Sequence, residues 1–145
     1  MDYSAIGNAL ATRYGTTPTP AGYRALRLAT ASPGEDLPPT PCILVFAPES
    51  GSFDTGQGTR TGVHNWVVRL YYDQAGDLGR QAQALMKWAE QFADQLKGAT
   101  QLGGIVTRAT LDGYKIGFMD YAGKTYAGIE GSVKIVTAES WAATA

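Results

Sequence analysis

His64 is the only histidine of the chain and Cys42 its only cysteine. Any nucleophile–base pair built on a thiol or imidazole would have to combine these two, because such a pair needs the base within hydrogen-bond reach of the nucleophile. His64 opens a β-like stretch beside Asn65 and Trp66, where a solvated strand end is expected. Cys42 opens the apolar run Cys42-Ile43-Leu44-Val45-Phe46, where a buried, inert thiol is expected. One thiol cannot close an intramolecular disulfide. One Cys and one His do not make a structural zinc set. The carboxylates (Glu35, Asp36, Glu49, Asp54, Asp73, Asp77, Glu90, Asp94, Asp112, Asp120, Glu130 and Glu139) are scattered, with no acid–base pair in an aromatic, sugar-binding setting.

Three short motifs have the letters of a site without its context. Asp54-Thr55-Gly56 matches the aspartic-protease triplet, but Ser52-Phe53 and Gln57-Gly58 replace the apolar strands that should flank it. Gly56-Gln57-Gly58 lacks the third glycine and the helix of a dinucleotide fingerprint. Gly123-Lys124-Thr125 lacks the upstream glycine and the helix of a phosphate loop, and reads as a hairpin turn. No catalytic, cofactor-binding or metal-ligating residue is assigned. The expectation is a structural chain, not an enzyme, that works by contact.

Composition agrees. The 145 residues suit one domain. Hydrophobic residues make up 44% and charged residues only 17%, below the roughly 25% of ordinary domains, which suits a surface partly covered by other chains. A net charge of −1 provides no footprint for nucleic acid or an anionic membrane. No signal peptide or membrane span is recognisable, so folding in a reducing cytoplasm is expected.

The elements follow from periodicity. Asp2–Tyr14 reads as a short helix capped by Asp2 or Ser4, with Ile6, Leu10 and Tyr14 on one face. Thr16–Gly22 is a Thr/Pro loop, Tyr23–Ala31 an irregular strand, and Ser32–Pro41, with four prolines, an extended surface segment. Cys42–Ala47 is a buried strand. Glu49–Gly62 reads as a long Gly-rich loop. Val63–Tyr72 is a second strand, with Trp66, Val68, Leu70 and Tyr72 on one face. Leu78–Lys97 reads as the main, long helix, capped by Asp73 or Asp77, with the stripe Leu78, Ala82, Leu85, Ala89, Phe92 and Leu96, widened by Met86 and Ala93. Ile105–Leu111, Tyr114–Tyr121 and Thr125–Thr137 follow as strands, joined by turns at Asp112-Gly113 and Ala122-Gly123-Lys124. Gly128 and Gly131 mark a bulge or bend. Residues 138–145 form a tail carrying Trp141. The fold class is α+β: a mixed, largely antiparallel sheet with the long helix on one face and a short N-terminal helix.

The aromatics exceed what one core must hide. Trp88 lies off the helical stripe, and Tyr71 lies opposite Trp66 and Leu70. Partner contacts are therefore expected at Phe53, Arg69, Tyr71, Trp88 and Trp141, and the long loop adds Glu49, Asp54 and Arg60.

The succession of a capped N-terminal helix, Pro41-Cys42-Ile43-Leu44-Val45-Phe46, a Gly-rich segment and His64-Asn65-Trp66-Val67-Val68-Arg69-Leu70-Tyr71-Tyr72 covers the first half of a pattern. A helix with Leu85, Trp88, Ala89 and Leu96, then Tyr121-Ala122-Gly123-Lys124-Thr125-Tyr126-Ala127-Gly128-Ile129 and Val133-Lys134-Ile135-Val136-Thr137, completes it. This layout resembles the tail terminator (tail completion, minor tail) proteins of long-tailed bacteriophages. The resemblance implies a cofactor-free, hexameric ring in the virion neck, assembled in the host cytoplasm, that caps the tail tube and meets the head connector. Its implied partners are further copies of the chain, the tail tube protein and the head-closure protein. Genome DNA would pass through the ring without sequence-specific contact, and no membrane is involved. The alternatives are a head-closure or tail-tube subunit, or a small non-viral ligand-binding α+β dimer.

Overall fold

A computed structural model describes residues 1–141. Among them run helix α1 (Tyr3–Tyr14), strands β1 (Leu28–Thr30), β2 (Cys42–Gly56) and β3 (Thr59–Gln74), helix α2 (Leu78–Ala93), and strands β4 (Arg108–Tyr121) and β5 (Lys124–Ser140). One five-stranded sheet has the order β1-β2-β3-β5-β4. Only β1 and β2 pair in parallel; the other neighbours are antiparallel. The α+β class and the mixed, largely antiparallel sheet are as expected.

Both helices cover the same face. The Asp2 carboxylate accepts from Ala5 N at 3.1 Å and starts α1. Ile6, Leu10 and Tyr14 share the buried face, as their spacing requires. Asp77 Oδ1 accepts from Gly79 N and Arg80 N and starts α2. Helix α1 lies over β1 and β2, and α2 lies over β5 and β4. Between helices and sheet, Ile43, Val45, Trp66, Val68, Leu70, Ile129, Val133 and Ile135 meet Leu10, Tyr14, Leu85, Trp88 and Phe92. Gly131 seats α2: a Cβ there would stand 2.7 Å from Phe92 Cε1, so the ring rests on bare β5 backbone.

The long helix is not formed. Helix α2 ends at Ala93, short of the expected Lys97, because from Asp94 on the backbone bonds reach three residues back, Asp94 N to Gln91 O and Gln95 N to Phe92 O. Three-residue turns then carry the chain on, with Lys97 N donating to Asp94 O. Leu96 is still buried, so its place in the stripe reflects burial without continued helix. The stripe is also rotated. Ala84, Leu85, Trp88 and Phe92 face the sheet, while Ala82 and Met86 are exposed. Trp88 is fully buried and is withdrawn as a partner contact. The same three- and four-residue steps fit both stripes, and the larger ring takes the centre.

Other boundaries shift for reasons of pairing. Only Leu28–Thr30 of the expected strand Tyr23–Ala31 pairs, against Cys42–Leu44. Asp112-Gly113 is a bulge within β4, between Leu111↔Val133 and Gly113↔Ser132, where a turn was expected. The Ala122-Gly123 turn forms as expected, with φ 50° and 80°.

The Glu49–Gly62 loop is instead a hairpin arm. Ser50 pairs with Asn65 and Gly56 with Thr59, around a tight turn at Gln57-Gly58 with Gly58 at φ 69°. Strand β5 continues beside it from Lys134 to Ser140 and satisfies the far edge of β3. The arm's Gly and Asp residues have weak strand preference, and neighbouring strands supply the order.

Trp88→Ala should cost about 3–5 kcal/mol, because a fully buried indole at the helix–sheet seam would be removed. Urea denaturation followed by fluorescence or far-UV circular dichroism reads this; a loss below about 1 kcal/mol would contradict the seat assigned to α2.

Candidate interaction surfaces

The sheet has two faces with different fates. On the face away from the helices, Cys42, Leu44 and Tyr71 are buried under Leu37 of the Pro-rich segment, with Phe46, Met119, Tyr121 and Tyr126 around them. Tyr121 Oη donates to the Gly34 carbonyl and pins that segment down. Tyr71 stands edge-on to Tyr121 and Tyr126, at centroid distances of 5.7 and 5.8 Å. Tyr71 is therefore not a partner contact: the prolines expected on the open surface serve as its cover. Burial pushes the Cys42 thiol up to about 12, so the thiol stays protonated, as an inert buried cysteine should. Arg69 lies beside this cluster, half-buried, with Nε and Nη2 each 2.8 Å from Glu130 Oε2 and Nη1 3.2 Å from Tyr71 Oη. Its fork is committed within the chain, which leaves little of it for a partner.

At the root of the arm, on the helix face, His64 is only 1% exposed. The expected solvated strand-end histidine is thus a core residue. Gly51 and Gly62, its neighbours across and along the strands, leave room for the ring; a Cβ at Gly62 would sit 2.5 Å from Nε2. Phe53 and Tyr3 meet the ring edge-on at centroid distances of 5.3 and 5.6 Å. Thr137 Oγ1 lies 3.2 Å from Nε2. Above it the Arg60 guanidinium lies 4.2 Å from the Phe53 ring centre and 2.9 Å from Glu139 Oε1. Glu139 also receives the N-terminal ammonium at 3.4 Å. Tyr3, Ala47, Pro48, Ser50, Gly51, Phe53 and His64 line a shallow groove of about 460 Å³ there.

The structure therefore gathers three of the expected contact residues, Phe53, Asp54 and Arg60, on one arm, with Phe53 and Asp54 exposed. Glu49 is exposed at the bulge where the arm leaves the body. Trp141 is half-exposed, with its backbone N–H bonded to Gly58 O at the arm's turn, so it borders the same surface. The rest of the expected tail, residues 142–145, lies outside the described residues.

A second surface escaped the expected contact list. Strand β4 is the sheet's outer edge, and Tyr114, Ile116 and Phe118 stand in a row on its helix face, 54%, 40% and 47% exposed. Gln95, in the turns after α2, holds the chain at the end of α1: its carbonyl accepts from Arg13 Nε at 2.6 Å and its Oε1 from Thr16 Oγ1 at 3.3 Å. A long edge strand bearing apolar side chains is a template for another chain. Strict alternation from Tyr114 to Phe118 was the available signal, but alternation alone does not say which strand is the edge.

No helix among the described residues is long and apolar enough to cross a membrane. No group of three or more His, Cys, Asp or Glu among them is placed to hold a metal ion. No family model matches the chain, and no curated protein matches it.

Burial lowers the His64 pKa, Arg60 lowers it further, and Glu139 partly opposes both. The unfolded imidazole, near 6.5, then binds a proton more readily than the folded one. His64 contributes its full stability above about pH 6.5, and that contribution is lost as pH falls towards the folded value. Glu139, held below the ordinary carboxylate value mainly by Arg60, loses its contribution in a lower pH window. Urea midpoints measured from pH 7.5 to 5 should fall, and His64→Gln should flatten that slope; an unchanged slope would show the ring is not the titrating group.

Proposed function

We propose that this chain is a structural virion protein of a long-tailed phage: the tail terminator subunit, which forms a ring that caps the tail tube and joins it to the head connector. The observation that carries the reading is the pair of open strand edges at opposite sides of one sheet. One is the arm of β2, and the other is β4 with its apolar row. A sheet with two unpaired edges can accept a copy of itself on each side, which is how a ring closes. The exposed Phe53, Tyr114, Phe118 and Trp141 supply the aromatic content of such contacts. The resemblance in element order described above supports the choice of virion role. Its partners would be further copies, the tube protein and the head-closure protein, with DNA passing through the ring and no cofactor needed.

A tail-tube subunit is the second reading. The projecting arm and the shortened α2 favour it, since both make the molecule more β-dominated than its sequence suggests.

Light scattering coupled to size exclusion, with electron images of the same peak, tests the first reading. A closed hexameric ring is expected. Open, growing tubes would favour the second reading, and a tight dimer would favour neither. A variant in which Asn-Gly replaces Phe53–Gly62, joining the paired residues Ser52 and Val63, should keep its circular dichroism spectrum and lose the rings. Intact rings from that variant would remove the arm from the assembly.

A further inference from the structure

We infer that the β4 edge of one copy pairs antiparallel with the β2 arm of the next copy, with Lys115 opposite Asp54 and Ile116 opposite Phe53. The inference rests on the ring reading and says which surfaces make the ring.

Three features select this occupant. The first is strand sense. Neighbours from β2 through β3 and β5 to β4 are all antiparallel, so β2 and β4 run in opposite directions. A second copy set beside the first, with its helices on the same side, offers its β2 antiparallel to β4 without being turned over. Strand β1 pairs only with Cys42–Leu44, so the outer edge of the β2 arm is open.

The second feature is face. Phe53 pairs with Gly62, and Ile116 pairs with the core residue Ile129; both side chains lie on the helix face. Asp54 pairs with Thr61, and Lys115 with Glu130; both lie on the other face. In one register Phe53 meets Ile116 and Asp54 meets Lys115, each on its own face. That register runs from Ser50 opposite Met119 to Gly56 opposite Gly113, so the paired stretch ends where the β4 bulge begins.

The third feature is charge. Asp54 and Lys115 are both exposed, and neither has an ion-pair partner among the described residues. Opposed across two strands they would attract, whereas like charges there repel. The added strand also satisfies the backbone groups of both edges and covers part of the Tyr114–Phe118 row.

The full chain tests this in two ways. Asp54→Lys and Lys115→Asp should each weaken self-association about fivefold, and the double exchange should restore it. In a Phe53→Cys, Ile116→Cys variant, mild oxidation should link copies into a ladder ending at the closed ring. Each single-cysteine variant should stay unlinked, with Cys42 silent in its buried site. Dimers from Ile116→Cys alone would overturn the pairing in favour of β4 against β4. Normal rings with no ladder and no charge effect would overturn the pairing and leave the ring reading standing. A monomer at every concentration would overturn both.

Discussion

The pairing of β3 with β5 carries this molecule. It runs unbroken in outline from Thr59↔Ser140 at the arm to Gln74↔Tyr126 at the far end, with one bulge after Tyr71. Each of the two strands is also bonded on its other side, β3 to β2 and β5 to β4. Over most of its length the central ribbon is therefore bonded on both sides, and in the arm β3 still lies between β2 and β5. The core lies on one face of it and the Tyr71 cluster on the other. The arm, the helix seat and both open edges are placed by this one pairing.

Its length explains why a segment poor in strand-forming residues is ordered. Ser50–Gly56 carries little apolar surface of its own. It is held by β3, which is held by β5, and its root is packed by Phe53, His64, Thr137 and Tyr3. Arg60 and Glu139 then tie β3 to β5 across the arm, and the N-terminal ammonium joins them. The arm is thus a stiff projection, and stiffness lowers the ordering cost of an interface.

The edges set the functional question. Natural sheets usually blunt an edge with charge, proline or a bulge. Here β4 has the Asp112 bulge at one end and Lys115 in the middle, yet keeps Tyr114, Ile116 and Phe118 exposed in a row. Lys115 blunts indiscriminate pairing, but it can match an acidic partner strand. One residue can therefore discourage aggregation and select a register.

Several features were determined by the sequence alone. The two helix starts, the apolar run from Cys42, the alternation in Val63–Tyr72 and the Ala122-Gly123 turn are local, because each depends on residues within a turn or a strand of one another; the choice of Asp2 over Ser4 and Asp77 over Asp73 as caps came with the structure. They were legible for that reason, and so was the α+β class. Tertiary structure alone decided the rest. The Gly-rich stretch became an arm because β5 lay beside it. Trp88 took the core while Phe92 settled on the bare backbone of Gly131, and the stripe turned away from Ala82 and Met86. Tyr71 was hidden by a proline segment distant in sequence, and His64 by Tyr3 and Thr137. Of the expected contact residues, Glu49, Phe53, Asp54 and Trp141 remain exposed, and the β4 row joins them. Edge or centre is a property of strand order, and strand order is fixed by long-range pairing that no local pattern records.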